Sequence, residues 1–300
     1  MYHNILQTPN REWPVAAFQV TVETFEKHIH RLRKRLIHPL AVQEQLMAGK
    51  IPKGVLVTFD DGASGLSIAG QILASNNAAG VAFICPGTLD KGLWFYRLAD
   101  ALVRATADDL GWQGVRLPLV SVLEKQAAYR RISSVLFDRS PVERDQELEC
   151  LLQSLHLKGD GPYSELRTLD EAGLRNAARA RSLFFANHSW SHPNLAKLSN
   201  NELVQEIDRS ANWLSNSGLP VINWFAFPRG SYNEKVRNTV QNKHPVVFGA
   251  RGWEATPGVL PRVYLCEHDH SAIRFTMKTA GGGKLYALRH RFQNLGQNSE

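Results

Sequence analysis

Two short polar clusters hold the residues whose types and spacing can do chemistry. The first is Asp60-Asp61-Gly62, directly after the apolar run Val55-Leu56-Val57-Thr58-Phe59. The second is Asn187-His188-Ser189-Trp190-Ser191-His192-Pro193, directly after Ser182-Leu183-Phe184-Phe185-Ala186. Adjacent carboxylates at the end of a buried strand are costly to desolvate unless a positive group answers them, and Gly62 lets the chain turn sharply. Alone, the acid pair reads equally well as a strand-to-helix turn with one Asp as a cap. Histidines four apart face the same way on a helical turn and can reach one cation, yet an isolated H-x-x-x-H is more often incidental. No Glu follows His188, which excludes the HExxH helix. The two clusters together say more. Two imidazoles and one carboxylate make a three-ligand site with an open position for water, the pattern of catalytic rather than structural zinc. The second acid then remains free as a base.

For the clusters to meet, the elements before them must run parallel. Strand-like runs at Gly54 to Phe59, Val81 to Ile84, Ser182 to Ala186, Val221 to Phe227 and Val246 to Ala250 alternate with helical patterns. That alternation predicts a parallel sheet with right-handed crossovers, either a barrel or an open doubly wound sheet. In both, chemistry gathers at the carboxyl ends of the strands. Thr21 is placed to cap a helix carrying Phe25, Ile29, Leu32 and Leu36. Ser67 to Ala74 reads as a helix stopped by Gly80. Ser140-Pro141, Thr168-Leu169-Asp170-Glu171, Ser199-Asn200-Asn201-Glu202 and Asn233 mark further helix starts. The stretch from about 93 to 174 reads as a mostly helical insertion within a single domain spanning 1–300.

The 300 residues suffice for one large core or two modest ones. The apolar runs are too short to span a membrane, and Met1-Tyr2-His3-Asn4 is unlike a secretory signal. The expected location is therefore the cytoplasm. Cys85, Cys150 and Cys266 form no CxxC pair and read as reduced, buried thiols. The net charge of +7, from 35 basic and 28 acidic residues, suits an acidic glycan, a phosphate-bearing lipid carrier or peripheral contact with an anionic membrane surface. No nucleic-acid motif accompanies it, and nucleic acid is not an expected partner. His28, His30 and His38, on or beside the first helix, read as surface or core residues.

Thr58-Phe59-Asp60-Asp61-Gly62 paired with His188-Ser189-x-x-His192 resembles the polysaccharide deacetylases, the NodB-homology group or carbohydrate esterase family 4. Tyr2-His3 resembles the start of that family's first strand, Ser199 to Gly218 its helix after the histidine motif, and Phe225-Ala226-Phe227-Pro228 its third motif. The resemblance implies a distorted (β/α) barrel and removal of an acyl group from an amino sugar of a polysaccharide or lipid-linked glycan. It implies Asp60 as general base, Asp61, His188 and His192 as ligands of a divalent metal (zinc by default, cobalt or nickel as alternatives), and the backbone N–H of Arg229 as oxyanion donor. The chain departs from the family's R-x-P-Y-G, reading Ala226-Phe227-Pro228-Arg229-Gly230. The Arg that would orient the base is missing, and Arg262 or Arg251 is a candidate replacement. The family's L-x-H, source of its general acid, has no clear counterpart; His268, His270 and His290 are candidates. Trp190 and Trp253 are candidates for a glycan wall, whereas Trp213 reads as core. A non-catalytic glycan-binding relative, and a deformylase or amidase acting on another C–N bond, are the alternative readings.

Overall fold

A computed structural model describes residues 1–50, 52–89, 91–159, 163–250 and 258–279. The chain opens with β1 (Asn4–Leu6) and β2 (Gln19–Thr21), a parallel pair. Helix α1 (Val22–Leu32) starts where Thr21 accepts from the Thr24 N–H, and buries Phe25, Ile29 and Leu32. Leu36 lies beyond the helix end. His28 is a buried core residue tied to the Tyr2 hydroxyl, and His38 caps α2 (Pro39–Met47). Then come β3 (Val57–Asp60), α3 (Leu66–Ser75) and β4 (Gly80–Ile84). Gly80 opens a strand rather than ending a helix, because Asn76 already closes α3.

The segment after Leu93 carries α4 (Trp94–Arg104), an antiparallel hairpin of β5 (Asp109–Trp112) and β6 (Val115–Pro118), α5 (Val122–Phe137), α6 (Pro141–Ser154) and α7 (Glu171–Ala178). It gathers its own apolar cluster, from Leu93, Trp94 and Phe95 to Leu148 and Leu151, joined by Trp13, Val15 and Cys85. Two details differ from the sequence reading. The hairpin was not expected, and α7 is capped by Asp170, while the Thr168 hydroxyl instead donates to the Thr88 carbonyl. Ser140 caps α6 as expected.

The remaining elements are β7 (Leu183–Asn187), α8 (Asn200–Asn216), β8 (Val221–Ala226), α9 (Glu234–Gln241), β9 (Val246–Phe248) and α10 (Ala272–Thr279). Ser199 and Asn233 cap α8 and α9. The five long-range strands form one parallel sheet in the order β3-β4-β7-β8-β9. Both faces of these strands are mostly buried, as a sheet covered by crossover helices requires.

The sheet curls toward closure through irregular backbone. Leu260 exchanges hydrogen bonds with Val247 and Gly249, Leu265 donates to the Met1 carbonyl, and Tyr2 bridges in parallel to Phe59 beside β3. The ring of hydrogen bonds thus passes from β9 through residues 260–265 and 1–2 back to β3, and the expected distorted barrel is borne out. This closure brings His3 and Arg262 beside the carboxyl end of β3. None of the described helices is long and apolar enough to cross a membrane.

Candidate functional site

Asp60 is the last residue of β3, and Asp61 is the first of the turn, with a left-handed φ of 76° followed by 69° at Gly62. The side chains of a strand alternate between faces; the turn breaks that alternation and lets both carboxylates serve one site. A close approach holds the turn in place. Gly65 donates to Asn4 Oδ1 at 2.9 Å, and a Cβ at Gly65 would lie 2.0 Å from the Ile5 carbonyl oxygen.

His188 and His192 follow β7 on a loop, correcting the expectation of a helical turn. They converge because Ser189 and His192 take left-handed φ values of 69° and 56°. A buried frame holds this loop. Ser189 N–H donates to Asn187 Oδ1, His192 N–H to Ser189 Oγ, and Trp190 and Ser191 N–H both to Glu206 Oε2 at 2.9 and 2.8 Å. Glu206, on α8, also accepts from the Ser191 hydroxyl at 2.7 Å. Among the described non-glycine residues with positive φ, Asp61, Ser189, His192 and Arg229 all belong to this one region. Such local strain persists where the surroundings over-determine it, as at functional sites.

Asp61, His188 and His192 each present a ligand atom within 4.8 Å of the others, and all three are buried. Asp61 Oδ1 lies 3.6 Å from His188 Nε2 and 3.5 Å from His192 Nε2. These gaps are too long for hydrogen bonds, and Asp61 Oδ1 has no hydrogen-bond partner. They match the separation of roughly 3.4 Å between ligands held ~2.1 Å from a tetrahedral cation. The donors fit as well. His188 Nδ1 sits 2.8 Å from the Ala226 carbonyl, so it carries the proton and leaves the Nε2 lone pair facing Asp61. Burial, the largest influence on each group, opposes every charge here. Asp60 and Asp61 outweigh it at His188, whose pKa rises; at His192 burial wins and holds the pKa down to about 3. A neutral His192 is the form a metal needs.

Asp60 has a different partner. Arg262 grips it with two hydrogen bonds, Nη1 to Oδ1 at 2.6 Å and Nη2 to Oδ2 at 2.8 Å, and donates from Nε to the Gly249 carbonyl at 2.9 Å. Burial alone would raise the Asp60 pKa, but Arg262, His188 and His3 hold it well below the usual carboxylate range. Of the two replacements for the missing family Arg, Arg262 therefore contacts the acid, while Arg251 lies outside the described residues.

His3 is a site neighbour that no sequence motif singles out. It is half-buried between Phe18 and Tyr264, at ring-centroid distances of 4.8 and 5.5 Å, and its Nδ1 is buried without a hydrogen-bond partner. Burial lowers its pKa against the pull of Asp61 and Asp60. Its one sequence signal was its place in Tyr2-His3. His268 is exposed on a turn whose neighbours Glu267 and Asp269 are tied to Thr21 and to Lys278; the side chain of His270, and all of His290, lie outside the described residues.

Arg229 follows Pro228 just beyond β8, with φ 51°, and its charge reaches Asp61. Trp190 makes a poor sugar platform. Arg209 stacks on its ring at 4.3 Å, and its indole lies so near Gly87 that a Cβ there would be 2.3 Å from Nε1. Trp213 packs against the core as expected, and Trp253 lies outside the described residues. The cysteines are free, but only Cys85 is buried; Cys150 is exposed and Cys266 intermediate, against the expectation of three buried thiols.

A family model described as polysaccharide deacetylase matches residues 125–247, a span that contains both histidines and the Pro228 turn. A comparison with curated protein sequences finds no match. Solved structures share the fold. The deacetylase PplD from Streptococcus pyogenes, solved with acetate, is 15% identical with a TM-score of 0.54, covering 93% of this chain and 95% of that one. IcaB from Ammonifex degensii is 14% identical with a TM-score of 0.55, covering 91% and 93%. A de-N-acetylase from Aggregatibacter actinomycetemcomitans is 12% identical with a TM-score of 0.53, covering 89% and 93%. Two motifs meet at the mouth of a curled parallel sheet, residues 125–247 match the polysaccharide deacetylase family model across the second of them, and the fold is shared with solved deacetylases: over that segment and in its fold, the chain is similar to the polysaccharide deacetylases.

Proposed function

We propose that this chain is a metal-dependent N-deacetylase of an amino sugar within a polysaccharide or lipid-linked glycan, working as one deacetylase domain that includes the 93–174 insertion. The carrying observation is the unpartnered Asp61 Oδ1 facing two imidazole nitrogens at 3.5 and 3.6 Å. A buried carboxylate oxygen left bare is costly, and a divalent cation answers it. Asp61, His188 and His192 would hold that ion, most simply zinc. When bound, the cation lowers the pKa of water toward ~7 and polarises the acyl oxygen.

The protein's own groups do the rest. Asp60 accepts the proton of the attacking water. Arg262 fixes the direction of that carboxylate and keeps it ionised, the task of the family Arg absent before Pro228. The main-chain N–H of Arg229, in the turn after β8, donates to the oxyanion as the carbonyl carbon becomes tetrahedral. His3, whose charge couples to both acids, collects the proton and passes it to the nitrogen as the C–N bond breaks. The amine leaves neutral, the acid product gives up its remaining proton to solvent and departs as acetate, and the net reaction consumes one water and releases one proton. The intact acids and histidines argue against a purely sugar-binding relative. Comparing formyl and acetyl substrates separates a deformylase from a deacetylase.

The reading is tested by incubating purified protein with N-acetylglucosamine oligomers and following amine release. Activity should be abolished by a chelator and restored by zinc, cobalt or nickel. Turnover indifferent to chelation, or no turnover with any of these ions, would remove the proposal.

The His3 role has its own signature. His3→Gln should lower kcat on the acetamide by about 10²-fold or more, with far less effect on an aryl acetate whose leaving group needs no proton. Equal losses on both would show that His3 only packs the site.

A further inference from the structure

The side chain of Arg229 has no task in the chemistry above, which uses only its backbone N–H. Its guanidinium carbon stands 4.3 Å from the centroid of Phe137 and 5.3 Å from that of Trp94, both contributed by the insertion. Trp94 is also a brace for the site, since its Nε1 donates to the His192 carbonyl at 3.2 Å. A second guanidinium, Arg144, stacks on the same indole at 5.5 Å. The two cations differ in their partners. Arg144 is buried and satisfied, donating to Asp145 Oδ1 at 2.8 Å and to the Ser191 carbonyl at 3.1 Å. Arg229 is open to solvent, and among the described residues no carboxylate lies within 4.0 Å of it.

The acids whose charges reach it are already engaged: Asp138 accepts from Asn194 at 2.7 Å, and Asp61 faces the imidazoles. Burial of part of the side chain pulls the Arg229 pKa down while Tyr129, Asp61 and Asp138 pull it up. Aromatic contacts fix the plane of the guanidinium, while the N–H groups along its edge are the part suited to a two-pronged contact with a carboxylate or phosphate. The resembling family often has a Tyr at this position, so the cation is a feature of this chain.

We propose that Arg229 is a specificity residue that selects acylamino sugars bearing a carboxylate or phosphate close to the acetamido group; the inference rests on the deacetylase reading. It narrows the substrate class from any N-acetylated glycan to an anionic one, and agrees in sign with the chain's net charge of +7.

The test compares N-acetylglucosamine, N-acetylglucosamine 6-phosphate and N-acetylmuramic acid as substrates of the zinc-loaded protein and of Arg229→Gln and Arg229→Lys. The native protein should favour an anionic sugar over the neutral one by about 10- to 100-fold in kcat/KM, the range of a charge-assisted contact. Arg229→Gln should abolish that ratio mainly through KM, Arg229→Lys should keep part of it, and added salt should shrink it. The phosphate and carboxylate arms show which anion is read. A ratio near one in the native protein, or a ratio that survives Arg229→Gln, overturns the inference and leaves deacetylation standing. Calorimetric titration of the same sugars reads binding without turnover. If no sugar is hydrolysed, the functional reading fails, and loss of anion-selective binding in Arg229→Gln still decides the receptor.

Discussion

Replacing Asp60 by Asn is expected to lower kcat by about 10²- to 10⁴-fold, the usual worth of a positioned general base, while the protein keeps its divalent cation. The two adjacent acids are chemically alike but differently placed. Asp60 spends both oxygens on Arg262 at 2.6 and 2.8 Å, whereas Asp61 offers a bare oxygen to two imidazoles. The amide keeps the size of the side chain and part of its hydrogen bonding, so the loss should fall on kcat with KM little changed. Elemental analysis of the variant alongside its kinetics makes the distinction. Retained metal with lost turnover supports the base; lost metal would move Asp60 into the ligand set, and full activity would remove it from the mechanism.

Arg262→Met should have the second large effect, on both stability and pH dependence. It removes one partner of a buried, two-pronged ion pair and leaves the Asp60 carboxylate without its guanidinium. Breaking such a pair typically costs about 3–5 kcal/mol. The sign follows from the depressed pKa of Asp60 in the native fold. A carboxyl held below its unfolded value of ~3.9 contributes stability that is present above that value and lost as pH falls through the folded one. In Arg262→Met, the largest opposition to burial is gone, leaving His188 and His3, so the folded pKa of Asp60 rises. The stability deficit against the native protein should then be largest near neutral pH and shrink in acid, where the carboxyl takes a proton in the variant. The acid limb of kcat/KM should move to higher pH, since the base must be ionised. Urea denaturation at neutral and acidic pH, with the pH–rate profile, checks both. Unchanged stability together with an unmoved acid limb would mean that Arg262 neither pairs with nor tunes this acid.

The site was legible in the sequence to the extent that it follows strand ends. The Asp60-Asp61 pair and the cluster holding His188 and His192 each follow an apolar run, and parallel strands open their carboxyl ends on one face, so the meeting could be foreseen without knowing any distance. The shape of the histidine loop could not. Left-handed φ at Ser189 and His192 replaces the helical turn, and neither residue type announces that conformation. His3 was invisible for a different reason. It reaches the acids only because residues 260–265 and 1–2 close the barrel with irregular backbone, which leaves no periodic pattern to read. Arg262 arrives by the same route, and its only sequence signal is the Arg missing before Pro228. The β5–β6 hairpin did have a signal. Gln113-Gly114 sits between runs carrying Leu110, Trp112 and Leu117, and both turn residues take positive φ, as a primed turn requires. The helical caps on either side obscured it.

The account stands on a cation held by Asp61, His188 and His192. The most direct test is the zinc stoichiometry of chelator-treated protein by elemental analysis after reloading, set beside His192→Ala and Asp60→Asn. The native protein and Asp60→Asn should each retain about one zinc per chain, and His192→Ala should retain almost none while still folded. A native protein that holds no zinc, or a His192→Ala variant that holds as much as the native, would contradict it.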